Sequence, residues 1–170
     1  MITETLNQEK LFAQLDDATS ILLDLLSSAN EKIFDEVPFE DSWTAAQLAS
    51  HVTKSNKAIA QALYMQGKPA ERNADERVEE LKKMFLDFSV KFQSPEFIVP
   101  TKTIYSKQEV IEKLQNSISQ IKDVRSEVNL TEVISLPAFG EITKFELLNF
   151  VVFHTKRHIH QLKKILRSFQ

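Results

Sequence analysis

The sequence predicts an all-α fold, a four-helix bundle with a long crossover between its second and third helices. Three observations carry this expectation. The 170 residues include only two glycines and five prolines, too few for the tight turns of an all-β fold built from many short strands. Apolar residues recur at spacings of three and four over long windows. Capping boxes of the form Ser/Thr-x-x-Glu/Gln stand where three of those windows begin.

The first helix is expected from about Thr5 to Phe34, on the stripe Leu11, Leu15, Ala18, Leu22, Leu25 and Ala29. The second follows the box Thr44-Ala-Ala-Gln47 and runs to about Gln66. There Gly67 is expected in the left-handed conformation that ends a helix, and Pro69 cannot continue one. The crossover between Gly67 and Tyr105 holds a helical piece around Asp75 to Phe88, then SPEFIVPTKTIY, whose Pro95 and Pro100 discourage regular structure. The third helix opens on the box Ser106 with Glu109 and keeps helical spacing through Ile111, Leu114, Ile118, Ile121 and Val128 as far as Asn129. LPAFGEI reads as a loop, and the box Thr143 with Glu146 opens the fourth helix. Lys163, Lys164 and Arg167 crowd the end of that helix, where its dipole favours positive charge.

Length and composition predict one domain over residues 1–170, since a chain of this size buries a substantial core. A net charge of −3 with no basic, aromatic-interleaved block argues against nucleic-acid binding. No cysteine is present, so disulfides, thiolate metal sites and a cysteine nucleophile are excluded. The start MITETLNQEK lacks the basic and apolar regions of an export signal, and no run approaches the roughly 20 apolar residues of a membrane span. A cytoplasmic location away from membranes is the expectation.

The chemistry-bearing residues are the four histidines, His51, His154, His158 and His160. On a helix, residues four apart stand about 40° around the axis and one turn along it, so His154 and His158 can reach one ion together. Leu147, Val151, Leu162 and Ile165 share their side, which turns both rings inward. His160 lies on the opposite side of the helix and is read as a surface or packing residue. His51, on the side of Leu48, Val52 and Ile59, can supply a third nitrogen from the facing helix. Spacing alone leaves a second reading open, in which each is a core histidine hydrogen-bonded to a carbonyl or hydroxyl. Around these rings Gln47, Ser55, Asn149 and Gln161 are the candidate polar supports. Phe145, Phe150 and Phe153 are read as core, and Trp43 as a residue packing the start of the second helix against the bundle.

SWTAAQLASHV around His51 and LPAFGEITKFELLNFVVFHTKRHIHQL around His154 and His158 resemble the DinB-like (DinB/YfiT) superfamily. Trp43, His51, Gly140, His154, His158 and Gln161 match its pattern of a tryptophan before the first histidine and a late glycine loop leading into H-x-x-x-H and a glutamine. The resemblance implies a four-helix bundle, often a homodimer, in which three histidines bind one divalent ion, zinc or nickel, with solvent completing the coordination.

Two kinds of activity toward a small-molecule substrate are then expected: hydrolysis, or transfer involving a low-molecular-weight thiol held as its thiolate. The motif H-T-K-R-H lacks the glutamate of H-E-x-x-H, which disfavours a zincin-type protease. A non-catalytic reading stands beside them, in which the metal staples the second helix to the fourth in a stress-related binding module.

Overall fold

The computed structural model describes residues 7–101 and 104–170. The expected helix start at Thr5 lies outside them. Helix α1 spans Gln8–Ser28, with the Asn7 side chain accepting from the Lys10 N–H. The expected continuation to Phe34 is interrupted: Ala29 is extended, and Asn30 caps a separate short helix, α2 (Glu31–Phe34). Asn30 competes for the backbone here, its side chain accepting from the Lys32 N–H, so a new helix begins instead of the old one continuing.

Helix α3 (Ala45–Leu63) begins with both bonds of the capping box, Gln47 N–H to Thr44 Oγ1 at 3.1 Å and Thr44 N–H to Gln47 Oε1 at 3.0 Å. It ends before the expected Gln66, and Gly67 is not the left-handed terminator: Gly140 alone among the glycines has positive φ. Gly67 is needed for close approach instead, since a Cβ there would lie 2.6 Å from the Cβ of Glu132. That approach lets strand β1 (Lys68–Pro69) pair with β2 (Glu132–Leu136). Helix α4 (Val78–Leu86) follows in the crossover, then an irregular run with a single helical turn at Glu96–Ile98.

Helix α5 (Lys107–Asp123) starts after Ser106, but the capping box expected there is absent, since the Ser106 side chain makes no capping bond. The expected continuation to Asn129 also fails. The chain tightens at Val124–Ser126, and the Asn129 side chain accepts from the Thr131 N–H, a local turn that starts β2. LPAFGEI is not a simple loop: it carries the turn between β2 and β3 (Gly140–Thr143), with the Phe139 N–H donating to Leu136 and Gly140 at φ 66°. The purely helical expectation is thus corrected to a mostly helical fold with a three-stranded antiparallel sheet, ordered β1-β2-β3. Opposed Ile134 and Ile142 bury one face of that sheet, as β-branched residues on a pleated, half-covered surface do.

Helix α6 (Lys144–Arg167) opens on the Thr143–Glu146 capping box. The long helices pack as a ring in which α1 and α3 each contact both α5 and α6, and α4 lies on α6. Two apolar clusters fill the bundle. One gathers Leu11, Leu15, Leu63, Leu147 and Val151 with the sheet residues Ile134 and Ile142; the other gathers Leu22, Leu26, Leu48, Leu114 and Leu162. Leu26 is fully buried while Leu25 only packs against the second cluster, so the α1 stripe shifts by one residue at its end. His154 falls in sequence between the residues that α6 gives to the two clusters.

Candidate metal centre

His51 stands in the second turn of α3, whose inward stripe of Leu48, Val52 and Ile59 is buried. His154 and His158 stand four residues apart on α6, on the face that also buries Leu147, Val151, Leu162 and Ile165. The crossing of α3 and α6 brings the three rings together, with exposures of 2%, 7% and 7%. The Nε2 atoms of His51 and His154 are 3.2 Å apart, those of His154 and His158 3.0 Å.

Hydrogen bonds at the far side of two rings set their tautomers. His51 Nδ1 is 2.9 Å from the Ile98 carbonyl, which can only accept, so this nitrogen carries the proton. His158 Nδ1 likewise donates to Gln161 Oε1 at 2.9 Å. In the neutral rings, Nε2 of His51 and of His158 is then a bare lone pair, and both point at Nε2 of His154. A single proton on His154 Nε2 can serve one of them only. One cation at the centre serves all three, and metal–nitrogen bonds of about 2.0–2.1 Å in tetrahedral array place nitrogens about 3.3 Å apart, within a few tenths of what is seen. The donor set therefore fits a divalent ion, and the ligand nitrogens of the three rings all lie within 4.8 Å of one another.

Burial keeps the rings neutral. It lowers the His51 pKa, with the Lys54 charge adding to it; it holds His154 well below its ordinary value; and it brings His158 down to about 3, with the neighbouring His51 assisting. Neutral imidazoles are the form a metal requires. Packing completes the positions: Phe150 stacks on His154 at 5.1 Å between centroids, and half-buried Trp43 lies 4.9 Å from His51.

Of the candidate supports, only Gln161 orients a ring. Gln47 is committed to the α3 cap, Asn149 donates to the Phe145 carbonyl within α6, and Ser55 is buried on α3 outside the bonds that orient the rings. Trp43 does more than pack the start of α3, since it meets His51 directly. Phe145 and Phe153 are core, whereas Phe150 serves both core and cluster. His160 is exposed and stacks on Phe88 at 4.1 Å, away from the cluster. The Ile98 carbonyl was not foreseen, and no sequence signal could have marked it, because a backbone oxygen 47 residues away carries no residue-type signature.

The N-terminus of α6 is anchored by a buried charge. Glu146 is fully buried, accepts from both terminal nitrogens of Arg72 at 2.6 and 2.8 Å, and also accepts from the N–H groups of Thr143 and Arg77. Burial pushes its carboxyl pKa up, but these bonds outweigh it and the net shift is downward. A charged carboxylate thus ties the crossover to the helix that carries two of the histidines.

Fold and cluster together define a four-helix bundle with a three-histidine centre suited to a divalent ion. The chain belongs to the DinB superfamily, which it matches over residues 14–162. Among solved structures it is similar to TT2238, a four-helix bundle protein, with a TM-score of 0.61 and 17% identity over 92% of this chain and 98% of that one. That likeness concerns the fold. No curated protein matches the chain. Among the described residues, no helix is long and apolar enough to cross a membrane.

Proposed function

We propose that His51, His154 and His158 hold one divalent metal ion, zinc or nickel, and that the protein uses it on a small molecule, in hydrolysis or in transfer involving a low-molecular-weight thiol. The observation that carries this reading is the convergence of three Nε2 atoms, two of them lone pairs fixed by the Ile98 carbonyl and Gln161. When bound, such an ion supplies Lewis acidity toward a water or thiol that reaches it. The chain's own residues hold the imidazoles neutral and oriented, and Trp43 and Phe150 line their flanks with apolar surface. The reading includes a single domain over residues 1–170, a cytoplasmic location, action without nucleic acid or membrane, and assembly as a homodimer, which sedimentation velocity tests.

A second reading, a non-catalytic staple between α3 and α6, is favoured by the low exposure of all three rings. Elemental analysis of protein purified without a histidine tag tests the shared claim. About one equivalent of zinc or nickel is expected, lost in His51→Ala and in the His154→Ala, His158→Ala pair but retained in His160→Ala. Equal loss in all variants, or no uptake after adding metal back, refutes the ligand set. With metal bound, turnover of thiol-transfer or ester substrates that disappears in His51→Ala supports the catalytic reading, and unfolding stability alone supports the staple.

A further inference from the structure

Each helix that supplies the histidine cluster carries a cation three residues after a histidine: Lys54 after His51 on α3, and Arg157 after His154 on α6. Both reach the same stretch of crossover. Lys54 Nζ donates to the Val99 carbonyl at 2.8 Å and lies 3.5 Å from Thr101 Oγ1. Arg157 Nη1 donates to the carbonyls of Phe85 at 3.2 Å and Asp87 at 3.0 Å, Nη2 donates to that of Val90, and the guanidinium sits 4.7 Å over the Phe92 ring. Among the described residues neither cation forms an ion pair; each is spent chiefly on backbone oxygens.

Between the two attachments the Phe92 ring rests on Phe85 at 5.3 Å and the turn at Glu96–Ile98 touches α3, but few side chains are buried. From Lys91 to Phe97 every residue but Ser94 is exposed, Phe92 at 44% and Phe97 at 68%. The next residue, Ile98, is buried, and its carbonyl is the one that orients His51. Segments with few buried apolar contacts open at low free energy. Charge-assisted bonds to carbonyls are then the chief restraint on this one.

We infer that Lys54 and Arg157 are positioning residues that clamp the crossover between Phe85 and Val99 onto α3 and α6, seating the Ile98 carbonyl on His51 and controlling access to the histidine cluster. The clamp itself stands on contacts within the chain; its effect on metal exchange rests on the function proposed above. Arginine suits the wider attachment because its fork spans several acceptors at once, whereas the single ammonium of Lys54 suits the neighbouring Val99 and Thr101.

The test compares Lys54→Met and Arg157→Met, which keep the apolar stems, with Arg157→Lys and with Lys164→Met, an exposed cation of α6 placed over Phe39. In metal-free protein, chymotryptic cleavage at Phe92 and Phe97 is expected to rise about tenfold in the two Met variants, to recover in part in Arg157→Lys, and to stay unchanged in Lys164→Met. The 15N spectrum of His51 is expected to show the Nδ1–H tautomer in wild type and a mixture in Lys54→Met. In zinc-loaded protein, extraction by a chelator should accelerate by about the same factor. Unchanged cleavage and an unchanged His51 tautomer overturn the clamp, even where zinc is bound. Faster cleavage in a protein that takes up no zinc upholds the clamp and refutes the metal reading. Should a Met variant fail to fold, Arg157→Lys decides: cleavage at Phe92 and Phe97 faster than in wild type supports the clamp, and cleavage at the wild-type rate refutes it.

Discussion

Removing metal should leave a protein that is unusually sensitive to mild acid, and the size of the effect follows from the buried rings. In the unfolded chain a histidine titrates at 6.5, whereas in the fold His158 titrates at about 3. The folded pKa lies below the unfolded one, so between these limits the unfolded state binds more protons and stability falls as pH falls. For His158 the drop from pH 7 to pH 5 costs about 2 kcal/mol, from about 1.36 kcal/mol per pH unit weighted by the fraction protonated in the unfolded chain. His154 and His51 shift in the same direction and add to it. Against a typical domain stability of about 5–15 kcal/mol this is a large share. Urea unfolding of chelator-treated protein at pH 7 and pH 5 measures it, with His158→Leu as the comparison. Wild type should lose at least about 2 kcal/mol, and the variant should lose about 2 kcal/mol less than wild type does. Equal losses in the two proteins would refute the reasoning, because the acid sensitivity would then come from groups outside the cluster.

Other outcomes follow from single contacts. Arg72→Met leaves the buried Glu146 carboxylate without its cation; breaking such a pair costs about 3–5 kcal/mol, and the 23% exposure of Arg72 places the expected loss near or below the lower figure, read from urea unfolding at pH 7. Gln161→Leu removes the acceptor of His158 Nδ1–H and should weaken metal affinity by about 10–100-fold in a competition titration, with about 1–3 kcal/mol of metal-free stability lost to the orphaned donor. Gly67→Ala forces a Cβ to within 2.6 Å of Glu132 Cβ and should cost about 1–3 kcal/mol in thermal unfolding. Gly140→Ala meets no neighbour and should cost only about 1–2 kcal/mol, for its left-handed backbone.

The amino-acid sequence by itself determines what local physics writes into residue order. Helical periodicity put His154 and His158 on one buried face of α6 and His51 on the buried face of α3. The capping boxes at Thr44 and Thr143 formed because their partners stand three residues away, within reach of any chain that enters a helix there. The box at Ser106 shows the limit of such reasoning, since a matching pattern does not oblige the side chain to bond. His160 was separable from its neighbours by angle alone.

Tertiary structure decided the rest. Strand β1 exists only because Lys68 meets Val133, and Gly67 proved to be a point of close approach because Glu132 arrives against it. The distance between the helices that sets the Nε2 separations, the Ile98 carbonyl that chooses the His51 tautomer, and the crossover bonds of Lys54 and Arg157 all join parts of the chain far apart in sequence. Backbone oxygens supply most of these contacts, and every residue has one. Residue identity thus selected the three imidazoles, while the packing of α3, α6 and the crossover determined that their lone pairs converge.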